Sequence, residues 1–270
     1  MRVHIISDME GVAGITNSGQ TNAGRPLYEE GRKLYTGEIN AAIRGAFAAG
    51  ATEVVVMDHH GAGGDHSFNS LLLEELDPRC EFVVQTEWTQ YTGFLEEGVD
   101  ACLLVGMHAR AGVRDGVLNH TVSGQAWQNL WFDGTLVGET GINAALCGSF
   151  GCPVLMVTGD RATCVEAKEL LGDGLTTVEV KVGIAQRAAR HVPPVRAREL
   201  IEAGAKAALA DLSAVPVYAP GRPAEIKVEY KNTAEVDKVR DRRGVEVLDD
   251  RTIVVRGDDW WSAWRGFFFG

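Results

Sequence analysis

The junction between a short apolar run and two carboxylates constrains the fold of this chain more than any other segment. The run from Val3 to Ile6 is typical of a buried strand, and Ser7-Asp8-Met9-Glu10-Gly11 follows it directly. Side chains two positions apart in an extended segment share a face, so we expect Asp8 and Glu10 to project in one direction. In an open α/β sheet, ligands bind beyond the carboxyl ends of the strands. Taken alone, the stretch also fits an exposed turn with solvated acids.

Strand and helix patterns alternate along the first part of the chain. Buried-strand runs at 52–57, 101–107 and 153–158 alternate with helical periodicity at 28–49 and 141–150. We also expect a short helix at 69–76, a strand at 81–85, and a hairpin at Asp133-Gly134 within extended segments from 116 to 139. Strands that alternate with helices favour a parallel sheet. The sequence therefore predicts an α/β fold with a doubly wound, mostly parallel sheet, a Rossmann-like architecture of three layers.

The pattern changes after about residue 170. The predicted elements are strands at 176–182 and 226–230, helices at 195–212 and 234–242, and a hairpin around Asp249-Asp250. We therefore expect residues 1–170 to form the α/β domain that carries a metal site. Residues 171–270 are expected to form a smaller α+β domain that contributes packing, subunit contacts and pocket walls. The aromatic run from Trp260 to Phe269 is more typical of packing or a subunit contact than of a substrate site.

Composition excludes several classes of protein. The net charge of −11, without a basic cluster, argues against nucleic acid as a partner. No apolar run approaches the roughly 18 residues of a membrane span. The five cysteines are odd in number and form no CxxC pair, and the N-terminus enters a strand without a basic and apolar leader. We therefore expect a cytoplasmic protein with reduced cysteines and no membrane partner.

Two further predicted apolar strands end in residue types that commonly serve as metal ligands. One ends in Asp58-His59-His60 and the other in Met107-His108. A single histidine after a strand is more often a hydrogen-bonded structural residue, but together these segments gather carboxylates and imidazoles at one sheet edge. Such oxygen and nitrogen donors suit zinc, manganese or another divalent ion. Glu139 and His120 could complete the set, although Glu139 also fits a charge favoured by a helix N-terminus.

The ordered set of motifs resembles the DppA-type zinc-dependent D-aminopeptidases, the M55 metallopeptidases. The matching segments are SDMEGVAG at 7–14, YEEGRKLYTGE at 28–38, VVVMDHHG at 54–61, GMHARAG at 106–112, VLNHT at 117–121, GETGINA at 138–144 and PVLMVTGD at 153–160. They stand in the family's order up to residue 160, and the C-terminal part matches more loosely. The resemblance implies cleavage of the N-terminal amide bond of short peptides or amino-acid amides, selective for D-residues. It also implies a ring-shaped homo-oligomer such as a decamer.

The resemblance further implies two zinc ions per chain. Asp8 would bridge both ions, with Glu10 and His60 at one ion and His108 and Glu139 at the other. His59 falls on a position that varies in the family and is left out. Three carboxylates and a bridging hydroxide would balance the charge of two divalent ions, and such a pair generates hydroxide near neutral pH.

His120 falls on the additional catalytic histidine of the family. It could protonate the leaving amine, since an imidazole has an ordinary pKa of about 6.5, or act as a nucleophile. Arg110, Asn119 and Asp160, together with Arg114, lie near the motif ends and are candidates for the substrate pocket. Charged side chains in such loops are, however, usually solvated or paired with each other.

Other functions fit the same donor set. A two-metal phosphatase, or a hydrolase of another amide or lactam, would use identical ligands, and a non-enzymatic metal-stabilised or nucleotide-binding α/β protein is a further alternative. The sequence has no GxGxxG after the first strand, no P-loop and no GxSxG elbow. Residue spacing alone leaves the side-chain preference and the D- or L-selectivity open.

Overall fold

The computed structural model describes residues 1–90 and 92–270. Its strands are β1 (Arg2–Ser7), β2 (Glu53–Asp58), β3 (Glu81–Val83), β4 (Ala101–Met107), β5 (Trp127–Phe132), β6 (Thr135–Val137), β7 (Val154–Asp160), β8 (Thr176–Ala185), β9 (Ala188–His191), β10 (Ala224–Tyr230), β11 (Val245–Val247) and β12 (Thr252–Gly257). Its α-helices are α1 (Ser18–Thr21), α2 (Tyr28–Ala48), α3 (Gly93–Glu96), α4 (Glu139–Ser149), α5 (Arg161–Leu171), α6 (Pro194–Ala208), α7 (Thr233–Asp237) and α8 (Trp260–Phe268).

The larger sheet confirms the predicted α/β fold. The described residues form seven strands in the order β3-β2-β1-β4-β7-β8-β9, and only the β8–β9 pair among them is antiparallel. Strands β1 and β4 are buried at nearly every position. Consecutive buried residues mean that both faces of the sheet are covered, as in doubly wound proteins. Helices α2 and α6 pack on each other and on the central strands, while α4 and α5 form a second helix pair.

A second, antiparallel sheet has the order β11-β12-β10-β5-β6. The two sheets draw on interleaved parts of the chain, because β8 and β9 follow residue 170 yet join the first sheet, whereas β5 and β6 precede it and join the second. The predicted boundary near residue 170 therefore does not coincide with the division between the sheets. As a division into domains, 1–170 and 171–270 stays a prediction.

Some of the local secondary-structure predictions are confirmed and others are wrong. The hairpins at Asp133-Gly134 and Asp249-Asp250 are confirmed. The short helix expected at 69–76 is wrong, because only a single 3₁₀ turn forms at Leu73–Glu75. The polar helix expected at 234–242 is shorter, and α5 was not predicted at all. Within the described residues, no helix is both long and apolar enough to cross a membrane.

Candidate metal centre

The turn after β1 places two predicted carboxylates against the end of β4. Asp8 and Glu10 both lie in this turn and are buried. A Cβ atom on Gly11 would stand 2.0 Å from the carbonyl oxygen of Met107, so the close approach of the two backbones requires glycine. Since β4 ends at Met107, the turn lies directly beside His108.

Four side chains meet around Asp8, and each oxygen of its carboxylate faces a different histidine. Asp8 Oδ1 lies 3.0 Å from Nδ1 of His60, which follows β2, and Asp8 Oδ2 lies 3.2 Å from Nε2 of His108. A second carboxylate stands beside each histidine. Glu10 Oε2 is 3.1 Å from His60 Nδ1, and Glu139 Oε1 is 3.3 Å from His108 Nε2. The five predicted ligands are therefore brought together.

Backbone carbonyls orient all three histidines of the centre. Because a carbonyl oxygen only accepts, each contact assigns an N–H to the remote ring nitrogen and turns the other nitrogen toward the carboxylates. The contacts are His60 Nε2 to Thr21 O at 2.8 Å, His108 Nδ1 to Ala109 O at 3.0 Å, and His120 Nδ1 to Leu118 O at 2.9 Å. This arrangement is the usual one for histidines that bind metals through the inward nitrogen.

Glu139 and His120 join the centre from the part of the chain that follows β4. Glu139 is the first residue of α4, and its Oε1 accepts a hydrogen bond from the Val122 N–H at 2.8 Å. The His120 ring stacks on the His108 ring, with centroids 4.1 Å apart and planes inclined by 14°. His120 Nε2 lies 3.6 Å from Glu139 Oε1, and its side chain keeps 23% exposure. His120 is thus the most exposed of the three histidines of the centre.

The buried groups hold each other's pKa values away from the ordinary range. Burial, with the neighbouring Glu10 carboxylate, raises the pKa of Asp8 to about 7. Burial also favours a raised pKa for Glu139, but the charge of His108 outweighs it and lowers that pKa to about 2. For His60 and His108, burial favours the neutral ring, yet the adjacent carboxylates raise both pKa values well above 6.5. The carboxylates thus draw positive charge into the site.

The donor set fits divalent metal ions. Asp8 Oδ2, Glu10 Oε2 and His108 Nε2 are buried and, within the part of the chain that is described, face each other or His60 at ion-pair distance without forming a hydrogen bond. Two overlapping groups bring one donor atom per residue within 4.8 Å: Asp8 with Glu10 and His108, and His108 with His120 and Glu139. Buried carboxylate oxygens without partners are unfavourable unless a cation joins them. Carboxylate and imidazole donors without thiolates suit zinc and similar ions.

The centre opens into a cavity of about 580 Å³. Asp8, Glu10, His60, His120 and Glu139 all line it, whereas His108 is fully buried beneath the His120 ring.

The structure separates the predicted pocket residues. Asn119 lines the cavity. Arg110 does not, because its backbone N–H donates to Glu166 at 3.0 Å and its side chain lines a different cavity, together with Arg114. Asp160 is fully buried and caps α5, and it accepts hydrogen bonds from the N–H groups of Val117 and Thr163. Arg110 and Asp160 therefore lie outside this cavity, and their role in the substrate pocket stays a prediction.

A residue that sequence reasoning missed lies beneath the Glu10 turn. Lys181 in β8 is 1% exposed, and its Nζ donates to the carbonyl oxygens of Glu10, Val12 and Ile15 at 2.5, 2.9 and 2.7 Å. Glu38 of α2 accepts a hydrogen bond from the Ala13 N–H of the same turn at 2.8 Å. The sequence analysis placed Lys181 in a strand at 176–182, but the local pattern gives no sign that its side chain is buried.

Comparison with known proteins gives consistent matches. The family model Peptidase_M55, described as D-aminopeptidase, matches residues 1–269. A D-aminopeptidase of Bacillus subtilis (strain 168) is 31% identical over 259 residues, which cover 94% of this chain and 90% of that protein. The solved structure of the Zn-dependent D-aminopeptidase DppA from Bacillus subtilis, described as a self-compartmentalizing protease, superposes with a TM-score of 0.92 at 28% identity, covering 100% of this chain and 96% of that one.

Proposed function

The chain belongs to the M55 family of D-aminopeptidases, and from this membership we propose that it releases the N-terminal D-residue from short peptides or amino-acid amides with two zinc ions bound per chain. Zinc dependence is a property of the similar DppA structure. The number of ions, the role of each ligand and the selectivity of this chain belong to the proposal.

One observation supports two ions more than any other: the two oxygens of Asp8 face different histidines. Oδ1 faces His60 with Glu10 beside it, and Oδ2 faces His108 with Glu139 beside it. Asp8 would bridge the ions, and each remaining pair would complete one site. When bound, two such ions activate water as a nucleophile and polarise the carbonyl of the scissile amide. The bridging hydroxide implied by the family resemblance is part of this proposal.

His120 would supply the proton that amide cleavage requires. Its Nδ1–H donates to the Leu118 carbonyl, so Nε2 faces the cavity and the carboxylate of Glu139. Burial, together with the charge of His108, lowers the pKa of His120. A neutral ring can take a proton from the attacking water and then deliver it to the departing amine. His120 as a nucleophile is the alternative, and the dependence of kcat on the leaving group separates the two roles.

Assembly and location extend the proposal. The similar DppA is described as self-compartmentalizing, which supports a homo-oligomer for this chain; the ring and the number ten stay predictions. The aromatic C-terminal run is not evidence for a subunit contact, because Trp260, Trp264 and Phe267 are buried within the chain itself. A cytoplasmic location stays a prediction, supported by the five cysteines, which are all free.

The proposal is tested with zinc-loaded protein on D- and L-alanine p-nitroanilide and on p-nitrophenyl phosphate. We expect cleavage of the D-anilide, little cleavage of the L-anilide and none of the phosphate ester. Hydrolysis of the phosphate ester alone would assign the centre to a phosphatase.

Metal content tests the two-ion centre separately. Elemental analysis after dialysis should give two zinc ions per chain, and Asp8→Asn should lose more zinc than Glu10→Gln because a bridging ligand serves both ions. Glu81→Gln, which changes an exposed acid of β3, is the matched control and should bind as the unchanged protein does. One ion or none in the unchanged protein would overturn the two-ion centre.

A further inference from the structure

An aromatic cluster from three distant parts of the chain lines one side of the cavity. Trp88 stands at its centre, with its ring centroid 5.2 Å from that of His59, 6.4 Å from Phe68 and 4.8 Å from Phe268. All four residues line the cavity of about 580 Å³. These four residues form the aromatic wall. Ring centroids 4.5 to 7 Å apart are in the range of favourable aromatic contacts, so the wall is packed rather than loosely assembled.

Helix α8 brings Phe268 to this wall. Asp259 caps the helix by accepting a hydrogen bond from the Ser262 N–H at 2.8 Å. Trp264 and Phe267 are buried, and Trp264 stacks on Phe268 with centroids 5.0 Å apart. Phe268 itself is only half-buried and lines the cavity. The C-terminal aromatic run thus has two parts, one that packs on the second sheet and one that faces the candidate active site.

One contact joins the aromatic wall to the His60 loop, and another joins it to helix α4, which begins at Glu139. The N–H of Phe68 donates to the carbonyl of His60 at 2.7 Å. His59 is held by a hydrogen bond between its Nδ1 and Asn143 Oδ1 at 3.0 Å, and its buried Nε2 has no partner among the described residues. These contacts hold the wall beside the metal centre through the loop of His60 and through helix α4.

Another part of the cavity lining is polar and adjoins His120. Gln186 Nε2 donates to the Asn119 carbonyl at 3.4 Å, Lys231 Nζ donates to the Gly124 carbonyl at 2.5 Å, and Arg187 lies with them along the cavity. If His120 protonates the departing amine, the leaving part of the substrate lies on this polar side. The side chain of the N-terminal residue would then face the remaining lining, in which the aromatic wall supplies the phenylalanine and tryptophan side chains.

We infer that the aromatic wall binds the side chain of the substrate's N-terminal residue and selects aromatic or large apolar D-residues over small ones. The inference rests on the proposed aminopeptidase activity for the identity of the bound residue. Exposed aromatic surface inside a cavity is stabilised when an apolar group covers it. Loss of such a contact typically changes discrimination by roughly tenfold to a hundredfold.

The experiment compares zinc-loaded protein on D-phenylalanine and D-alanine p-nitroanilide, which share a leaving group. We expect kcat/KM to be higher for the phenylalanine substrate. Trp88→Ala should lower the ratio of the two kcat/KM values by roughly tenfold to a hundredfold, and Phe268→Ala should lower it in the same direction. Phe82→Ala, which removes an exposed ring on β3 outside the cavity lining, should leave the ratio unchanged.

A binding measurement separates this inference from the proposed function. Saturation-transfer NMR with D-phenylalaninol and D-alaninol, which have no scissile bond, should show ring contact for the former that Trp88→Ala abolishes. Ring contact without any anilide cleavage would overturn the aminopeptidase proposal and leave the apolar subsite standing. Cleavage that favours the alanine substrate, or a ratio that Trp88→Ala does not change, would overturn the aromatic wall as the specificity subsite.

Discussion

Replacing Lys181 by methionine tests how the turn with Glu10 is held in place. The three hydrogen bonds from Lys181 Nζ all end on backbone carbonyls of this turn, at Glu10, Val12 and Ile15. Methionine has a similar length and shape but no N–H group. Lys181→Met therefore removes this donor from all three carbonyls, of which Val12 keeps a hydrogen bond from the Ile15 N–H at 3.2 Å, and keeps most of the packing.

The size of the effect follows from two opposing contributions. A hydrogen bond from a charged donor contributes about 1.5–3 kcal/mol, so three contribute roughly 5–9 kcal/mol. Against this, burial lowers the pKa of Lys181 from 10.5 to about 8. That shift corresponds to an unfavourable contribution of about 3 kcal/mol for keeping the ammonium charged. The free energy of unfolding should therefore fall by roughly 2–6 kcal/mol in Lys181→Met.

Zinc binding reports on the position of Glu10 independently of stability. Because Glu10 belongs to only one of the two proposed sites, Lys181→Met should lower the affinity for one zinc ion by at least about tenfold and leave the affinity for the other nearly unchanged. Urea unfolding of zinc-free protein and zinc competition with a chelator measure the two effects. Lys206→Met, the same change at an exposed lysine of α6, is the control. If Lys181→Met matches this control in both measurements, Lys181 does not hold the turn in place.

Other predictions concern catalysis, pH and assembly. His120→Ala should keep both zinc ions and its melting temperature, but its kcat should fall by roughly 10²–10⁴, and less for a p-nitroanilide than for a plain peptide. A nucleophilic histidine would instead give severe losses for both substrates. Full activity of the variant would remove His120 from the mechanism. Burial raises the pKa of Glu38 to about 7, so the folded carboxyl keeps its proton to a higher pH than the unfolded one. Stability should therefore fall by roughly 3 kcal/mol relative to Glu38→Gln as urea titrations move from about pH 5 to pH 8, whereas parallel pH profiles would contradict this. Light scattering at micromolar protein should give a homo-oligomer, and a monomeric mass would contradict the proposed assembly.

Strand ends were the most predictable part of the candidate site. The apolar runs before Asp8, His60 and His108 all form strands, and β1 lies between β2 and β4 in the sheet. Neighbouring parallel strands end at the same edge of the sheet. Side chains that directly follow these strands are therefore brought together independently of the loop conformations. The donors of the centre could therefore be proposed from sequence pattern and family resemblance.

Long-range burial could not be predicted in the same way. The strand pattern around Lys181 alternates as if one face were solvated, but β8 lies between β7 and β9 with α5 and α6 packed against it. The aromatic wall depends on Trp88 and Phe268, which are far apart in the chain. Their contact depends on the packing of α8 on the second sheet. No local periodicity encodes such a meeting.

Backbone strain at the site was equally invisible in the sequence. Phe68, Leu118 and Val122 have φ values of 58°, 53° and 58°, and all three line the cavity. The left-handed region is unfavourable for side chains other than glycine, by roughly 1–3 kcal/mol, and most of all for a β-branched residue such as Val122.

Each strained residue makes a backbone hydrogen bond to a residue of the centre. Val122 N–H donates to the Glu139 carboxylate at 2.8 Å, the Leu118 carbonyl accepts from His120 at 2.9 Å, and Phe68 N–H donates to the His60 carbonyl at 2.7 Å. Glycine would relieve the strain at all three positions but would leave these loops free to move. The surrounding fold therefore stabilises an unfavourable backbone where it orients a proposed ligand or proton donor before substrate arrives. That is why local propensity, which favours relaxed backbone, is least informative at this site.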